Sequence, residues 1–184
     1  PSPPPPGSRA TTRPRQQVEL APLLSAPAAA NLKVVSVDDS GMILKSCQRL
    51  LHKTHMRAAE SIVIGETRLE IEAAPDVIMG RQTKDARTNE LAAVTGTPRP
   101  ADIVTLDYHL GHERLKGTDI AAALCEEGFP GVACIFSGGT EEDMAKYEAM
   151  PGVDVAVSKS EKYDKVAKRL LEKHALKCGQ GEYE

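Results

Sequence analysis

Short apolar runs alternate with helix-like stretches from Leu32 onward, and this alternation is the main pattern along the chain. Five runs rich in Val, Ile and Leu predict strands, and they read LKVVSV, SIVI, DIVTL, VACIF and VDVAV. Runs that are apolar on both faces are typical of parallel strands, because crossover helices cover each side of such a sheet. The pattern therefore predicts an α/β fold on a five-stranded parallel sheet.

The stretch after the first run has the spacing of an amphipathic helix. Its apolar residues recur at i, i+4, i+7 and i+8, and they are Ile43, Cys47, Leu50 and Leu51. A stripe with this spacing faces the core when the segment is helical. We expect His52 and His55, near the end of this helix, to be solvated.

Helix boundaries are marked in the second half of the chain. Thr140 and Asp143 resemble a capping box, and the Pro151-Gly152 pair ends the helix that the box opens. Another helix is predicted from Gly117 to Glu127. The last helix has an inner face at helical spacing, formed by Val166, Leu170, Leu171 and Ala175.

The segment between Gly65 and Arg99 is longer than one helix and a short loop require, so it contains an insertion. The favoured interpretation has SIVI as strand two and a helix from Glu66 to about Ala74, broken at Pro75, followed by an irregular or partly helical excursion. The alternative makes DVIMG strand two and 84–94 helix two.

Composition divides the chain into three parts. Residues 1–30 hold eight of the thirteen prolines without helical or strand periodicity, which predicts a disordered Pro-rich linker. Residues 31–177 form the predicted domain, and 178–184 a C-terminal tail. Because the chain does not begin with Met, we expect it to be a piece of a longer polypeptide, with the linker joining the domain to an upstream module.

Charge and residue usage exclude several classes of function. The net charge is −3 without a block of like charge, and only 3% of residues are aromatic, so neither nucleic acid nor an anionic membrane is an expected partner. No apolar run approaches the roughly 20 residues of a membrane span, which predicts a cytoplasmic domain. Cys47, Cys125 and Cys134 fall in apolar patterns and are expected to be reduced and to pack as small hydrophobic residues.

Polar side chains follow four of the predicted strands. In a doubly wound sheet, ligands gather at the carboxyl ends of the strands, so these positions predict the site. They are Asp38 and Asp39 after the first strand, Asp107 after the third, Ser137 after the fourth and Lys159 after the fifth. Three crowded carboxylates repel one another unless a cation joins them, and oxygen ligands with room for water favour Mg²⁺.

The segments VVSVDDS, DIVTLDYHLG, KGTDIAAAL, VACIFSGG and VAVSK together resemble the receiver domains of two-component response regulators. The resemblance spans about Leu32 to Leu176. It implies a flavodoxin-like (βα)₅ fold with five parallel strands in the order 2-1-3-4-5, and an insertion between strands two and three. The separation between Asp39 and Asp107 is longer than is usual in the family.

The resemblance also implies a function, which is Mg²⁺-dependent transfer of phosphoryl from a phosphohistidine donor to Asp107. Asp39, Asp107 and the backbone carbonyl of His109 would bind Mg²⁺ directly, and Asp38 would act through water. Lys159 would pair with Asp107 at rest and with the phosphoryl group afterwards, while Ser137 would donate to that group. The chain would be no enzyme with an external substrate, since it would catalyse only its own phosphorylation and dephosphorylation.

Further expectations concern partners. The donor would be a histidine kinase or a histidine phosphotransfer protein, and the chain could be the terminal receiver of a hybrid histidine kinase tethered to a membrane-bound sensor upstream. Partner docking, or a homodimer, would use the face of the fourth helix, fifth strand and fifth helix. Receivers usually have Pro where Ser160 lies and often an aromatic residue at Ala156, so neither a cis peptide nor a ring switch is expected here.

Three rival functions remain open. A degenerate receiver would serve only as a protein-binding module. An aspartate-nucleophile phosphatase fits poorly, because Tyr108 and His109 follow Asp107 where that class resembles D-x-D-x-T. A flavodoxin would need a hydroxyl-rich phosphate cradle in place of the acidic first loop.

Overall fold

The computed structural model describes residues 31–85, 87–111 and 115–179. The predicted linker over 1–30 and the final residues 180–184 lie outside this range. Within the described part of the chain, no helix has both the length and the apolar character needed to cross a membrane.

Five parallel strands form the central sheet, in the order β2-β1-β5-β6-β7. They are β1 (Lys33–Val37), β2 (Glu60–Ile64), β5 (Ile103–Leu106), β6 (Val132–Ser137) and β7 (Val155–Ser158). A separate antiparallel hairpin consists of β3 (Gln82–Lys84) and β4 (Leu91–Ala93). Without these two strands the order along the sheet is 2-1-3-4-5, so the predicted flavodoxin-like fold is confirmed.

Helices cover both faces of the sheet. They are α1 (Gly41–Ser46), which continues as a π-helical segment (Cys47–Met56), α2 (Arg68–Glu72), α3 (Ala74–Ile78), α4 (Gly117–Glu126), α5 (Glu141–Glu148) and α6 (Tyr163–Gly179). The buried apolar side chains of α2, α3, α4 and α5 belong to one apolar cluster, and those of the π-helical segment and α6 belong to the other. Alternate residues of β1 serve the two clusters, since Val35 and Val37 belong to the first and Val34 to the second.

The uncertain segment after β2 is now defined. SIVI lies in β2 as favoured, whereas DVIMG is not a strand, because Val77 and Ile78 belong to α3. Pro75 does not end the helical region as predicted; it occupies the first turn of α3, where its missing N–H costs no hydrogen bond. The excursion is partly helical as expected, because α3 forms part of it, but it also contains the β3–β4 hairpin, which was not predicted. The alternative helix over 84–94 is wrong, because both strands of the hairpin contribute residues to that range.

The π-helical segment overturns the prediction for His52. Because its hydrogen bonds span one residue more than those of an α-helix, residues four and five apart share a face. Its buried side chains are Cys47, Leu51, His52 and Met56. His52 is therefore completely buried, while Leu50 is only partly buried and His55 is exposed as expected.

Other boundary predictions hold, with small changes at the edges. The capping box of Thr140 and Asp143 opens α5, and Asp143 Oδ2 accepts from the Thr140 backbone N–H at 2.9 Å. In α6, Ala175 is exposed instead of buried. This helix ends at Gly179, two residues past the predicted domain boundary at 177. Cys125 is exposed as well, whereas Cys47 and Cys134 are buried as predicted.

Candidate functional site

Four strand ends bring the predicted site residues to the same edge of the sheet. Asp38 and Asp39 follow β1, Asp107 follows β5, Ser137 ends β6 and Lys159 follows β7. Backbone hydrogen bonds continue the pairing beyond the strands, from Asp107 to Val37 at 2.8 Å and from Lys159 to Ser137 at 2.8 Å. Neighbouring strand ends are thus fixed relative to one another by the sheet itself.

Three carboxylates and one ammonium group form the centre of this edge. Oxygen atoms of Asp38, Asp39 and Asp107 lie within 4.8 Å of one another. The Lys159 ammonium lies 2.7 Å from Asp38 Oδ2 and 2.9 Å from Asp107 Oδ1. Asp38 and Asp107 are buried, whereas Asp39 is exposed.

Burial and the ion pair act in opposite directions on the pKa values of Asp107 and Lys159. Burial raises the pKa of the Asp107 carboxyl, and the charges of Asp38 and Asp39 add to this, although Lys159 counteracts both. Burial alone would lower the pKa of Lys159, but its hydrogen bonds to Asp38 and Asp107 outweigh burial and raise that pKa. Lys159 therefore stays charged and can stabilise negative charge at the Asp107 oxygen.

The donor set fits a divalent cation. Three carboxylates facing one ammonium group leave an excess of two negative charges. Asp38 has both oxygens engaged, one by Lys159 and the other by the backbone N–H of Ser40 at 2.9 Å, which leaves Asp39 and Asp107 the better placed for direct binding. Hard oxygen donors at an edge that is partly open to solvent suit Mg²⁺, because this ion usually keeps several water molecules in its coordination shell.

Other predicted site positions lie around this centre. Ser137 is buried at the end of β6, and Gly138 and Gly139 follow it before α5 begins. The His109 side chain is exposed in the loop after β5, and its backbone forms an isolated antiparallel β-bridge with Lys116. Its carbonyl as a metal ligand stays a prediction.

The expected departures at β7 are both present. The peptide between Lys159 and Ser160 is trans, as are all others in the described part of the chain. Ala156 is buried in β7, where its N–H donates to Glu148 Oε1 at 2.9 Å and its carbonyl accepts from Arg169. The space beside this small side chain is a cavity of about 470 Å³ between α5 and α6.

Two glycines that allow the strand ends to come together were missed as site residues. Gly65 follows β2 with φ of 124°, and a Cβ there would collide with the backbone oxygen of Asp38. Gly117 begins α4, and a Cβ there would collide with the backbone oxygen of Asp107. Glycine directly after a predicted strand or at a helix start was the signal that could have found them.

A row of hydrogen-bonded polar side chains below the site was missed as well. Ser36 Oγ lies 2.5 Å from Thr105 Oγ1 and 2.8 Å from His52 Nε2, and His52 Nδ1 lies 2.8 Å from Ser61 Oγ. The hydroxyl groups belong to residues that alternate with apolar residues in β5, β1 and β2. The row of hydrogen bonds therefore crosses three strands. Burial lowers the pKa of His52 to about 3, which keeps the imidazole neutral.

Comparison with known proteins shows the fold but no close relative. No family model matches the chain, and no curated protein matches it. The Francisella response regulator 1452 receiver domain is 16% identical, and the match covers 79% of this chain and 98% of that one at a TM-score of 0.53.

Two further solved structures agree with this match. A CheY-like response regulator receiver domain from Methanospirillum hungatei JF-1 is 15% identical over 82% of this chain and 99% of its own, with a TM-score of 0.56. The receiver domain of the putative response regulator NarL from Mycobacterium tuberculosis is 18% identical over 79% and 97%, with a TM-score of 0.52. This chain thus has the fold of response regulator receiver domains.

Proposed function

We propose that this chain is a phospho-accepting receiver, in which Asp107 takes a phosphoryl group from a phosphohistidine donor in a Mg²⁺-dependent reaction. The observation that carries the proposal is the Lys159 ammonium, which bridges Asp38 and Asp107 inside a cluster of three carboxylates. Fold alone does not define function, so the proposal depends on this local chemistry.

The transfer needs few chemical groups from the protein. A carboxylate oxygen of Asp107 forms the new P–O bond while the P–N bond to the donor imidazole breaks, and no proton has to leave the acceptor. Charge spreads over the phosphoryl oxygens in the transition state, so positioned cations provide most of the catalysis. A bound Mg²⁺ supplies part of that positive charge.

Two side chains of the site have distinct roles in the proposal. Lys159 already contacts Asp107 Oδ1, and after the transfer its ammonium pairs with a phosphoryl oxygen instead. Ser137 ends the neighbouring strand β6, and its hydroxyl donates to the same group. The inward movement of the loop after Ser137 then switches the protein.

The proposed donor is a histidine kinase or a histidine phosphotransfer protein. Partner docking, or homodimer formation, is proposed for the face of α5, β7 and α6. These are the fourth helix, fifth strand and fifth helix when the hairpin is left out and α2 and α3 are counted as one helix. Arg169 on α6 contacts Glu148 on α5 at 3.4 Å and Glu161 at 3.1 Å, so an ion network joins the two helices there. The chain does not turn over an external substrate in this proposal.

Incubation with acetyl phosphate and Mg²⁺, followed by intact mass measurement, tests the proposal. We expect a gain of one phosphoryl group that is absent in Asp107→Asn and absent when the metal is chelated. Asp164→Asn is the matched control, since Asp164 is exposed on α6 and is not one of the three clustered carboxylates, so its loss should leave the gain unchanged. No gain in the unaltered protein would favour the degenerate receiver that only binds partners.

A further inference from the structure

A histidine, a cysteine and an aspartate lie together at the amino edge of the sheet, opposite the carboxylate cluster. His174 and Cys178 are four residues apart near the end of α6, so they share one face of that helix. Cys178 Sγ lies 3.5 Å from His174 Nε2, and the same nitrogen lies 4.0 Å from Asp102 Oδ1. Asp102 directly precedes β5. We name His174, Cys178 and Asp102 the amino-edge cluster.

The carboxylate of the amino-edge cluster is anchored through its Oδ2 atom. This oxygen accepts from the backbone N–H of Lys33 at 2.6 Å and from the Arg99 guanidinium at 3.1 Å. The other oxygen, Oδ1, is the one that faces His174. Side chains that bind metal ions are commonly oriented by such outer hydrogen bonds. Asp102 is therefore already oriented as a ligand beside the imidazole.

The end of α6 is fixed to the sheet by a second set of hydrogen bonds. Lys177, next to Cys178 in the sequence, donates from Nζ to the Gly131 carbonyl at 2.7 Å and to Asp154 Oδ2 at 3.0 Å. Gly131 precedes β6 and Asp154 precedes β7, so both acceptors lie at the amino edge. The helix turn that carries the imidazole and the thiol is thus held against the same edge as the carboxylate.

The separation between the thiol and the imidazole matches a tetrahedral metal ion. Bonds of about 2.3 Å to sulfur and about 2.1 Å to nitrogen place the two donor atoms about 3.6 Å apart in such a site. The observed separation of Cys178 Sγ and His174 Nε2 is 3.5 Å. Asp102 Oδ1 has to approach by about half an ångström to reach its tetrahedral position. Rotation of the exposed Cys178 side chain then brings all three donors to one ion.

Charges around the amino-edge cluster favour a cation once the thiol is deprotonated. The charge of Arg99 is cancelled by Asp102 at 3.1 Å. That of Lys177 is cancelled by Asp154 at 3.0 Å. A thiolate at Cys178 would therefore add a negative charge in excess. A metal ion that binds there displaces the thiol proton to solvent and compensates this charge.

We propose that the amino-edge cluster binds a divalent transition metal of the zinc type, with the Cys178 thiolate, His174 Nε2 and Asp102 Oδ1 as ligands and water completing the coordination shell. Sulfur and imidazole donors select such ions over Mg²⁺, which prefers oxygen ligands. The bound ion would join the end of α6 to the start of β5. This site lies at the edge opposite Asp107 and does not depend on phosphoryl transfer, so either proposal can fail without the other.

Cobalt provides a spectroscopic test, because Co²⁺ takes the same ligands as Zn²⁺ and its bond to a thiolate absorbs in the near ultraviolet. Reduced protein, with Mg²⁺ in excess to fill the carboxylate cluster, should develop this charge-transfer band with one equivalent of Co²⁺ and lose it when Zn²⁺ is added. Cys178→Ser should abolish the band. His174→Gln and Asp102→Asn should weaken Co²⁺ binding by about tenfold or more.

Two control variants accompany this titration. Cys125→Ser removes the exposed thiol of α4 and should keep the band. Asp39→Asn removes a carboxylate of the other cluster and should keep it as well. A band lost in either control would place the bound Co²⁺ outside the amino-edge cluster and overturn the proposal.

Alkylation of the unaltered protein gives a second readout that needs no variant. Iodoacetamide reacts with free thiolates, so Zn²⁺ should slow the alkylation of Cys178 by about tenfold or more. Cys125 is exposed too, and its rate of alkylation should stay the same. Peptide mass measurement identifies each modified cysteine.

The outcomes are decisive for the metal site. A missing band in the unaltered protein, a band that persists in Cys178→Ser, or equal alkylation of Cys178 with and without Zn²⁺ overturns the proposal. The contact between His174 and Cys178 is then only a hydrogen bond within α6. Phosphoryl gain at Asp107 is measured separately, and its absence would overturn the phosphoacceptor function while leaving the metal site standing.

Discussion

At the scale of single residues, the buried histidine below the site is a group whose protonation opposes folding. His52 accepts or donates hydrogen bonds only with neutral hydroxyls, those of Ser36 and Ser61. Among the described groups, Lys53 is the charge that acts on it, and this charge lowers its pKa further after burial. A proton on His52 has no acidic partner there.

This burial predicts acid-sensitive stability. The pKa of His52 falls from 6.5 in the unfolded chain to about 3 in the folded one, so below pH 6.5 the unfolded state binds the extra proton. The free energy of unfolding should therefore decrease as pH falls from 6.5 toward 3, by about 1.4 kcal/mol per pH unit from this group. Urea unfolding between pH 7 and 5 measures the slope.

His52→Gln should reduce this slope, although it also lowers stability at pH 7. His55→Gln is the matched control, because His55 lies in the same segment with its side chain exposed. Equal slopes for the unaltered protein and His52→Gln would contradict the prediction.

The difference between residues that sequence reasoning found and those it missed follows from the type of signal. Asp38, Asp107 and Lys159 come directly after apolar runs, and parallel strands place such positions together whatever the helices do. His52 was missed because its burial depends on the π-helical spacing, and the apolar period of 3.6 residues cannot reveal that spacing.

At the scale of elements, the inserted hairpin is attached to the domain by an ion pair. Lys84 in β3 lies 2.6 Å from Glu70 in α2, and both side chains are about nine-tenths buried. Glu70 Oε2 also accepts from the N–H groups of Gly65 at 2.8 Å and Glu66 at 3.0 Å. Burial alone would raise the pKa of Glu70, but Lys84 and these N–H groups together lower it. The pair thus fixes the hairpin to the loop that follows β2.

Removing the Lys84 ammonium group should lower the stability of the protein. Lys84→Met leaves the Glu70 carboxylate buried without its counter-charge, so we expect the free energy of unfolding to fall by about 2 to 3 kcal/mol. Lys168→Met is the matched control, since Lys168 is exposed and its contact to Glu172 is 3.9 Å long; its effect should stay below about 0.5 kcal/mol. Chemical unfolding at pH 7 measures both, and equal losses would contradict a role for the pair.

Local signals defined some elements better than others. The capping box at Thr140 marked the start of α5 correctly, because cap chemistry acts within a single turn. The hairpin could not be predicted, since β3 and β4 have three residues each and pair mainly with each other. The position of the hairpin depends on the contact between Lys84 and Glu70. These residues are fourteen positions apart in the sequence, so no local periodicity reveals their contact.

At the scale of the whole molecule, the excess negative charge at the site opposes folding. If Mg²⁺ binds the folded chain alone, it stabilises the protein by about 1.4 kcal/mol when its concentration is ten times the dissociation constant. We expect the melting temperature to rise by about 3 to 6 °C under that condition. Thermal unfolding with Mg²⁺ and with chelator measures the change.

Asp39→Asn should separate metal binding from repulsion. It removes one of the three carboxylates, so the melting temperature without metal should rise slightly while the response to Mg²⁺ largely disappears. Asp164→Asn again provides the control and should keep the full response. A response of equal size in Asp39→Asn would show that Mg²⁺ binds elsewhere.

The pairing of β1 with β5 has a consequence for how the chain can vary. Val34 lies opposite Ile103, so this contact closes a loop of 69 residues that contains the whole insertion. Loop-closure entropy grows only with the logarithm of length, and even halving that segment would gain about 0.6 kcal/mol. The hairpin region between α3 and β5 can therefore gain or lose residues over evolution at little entropic cost to the pairing of β1 with β5.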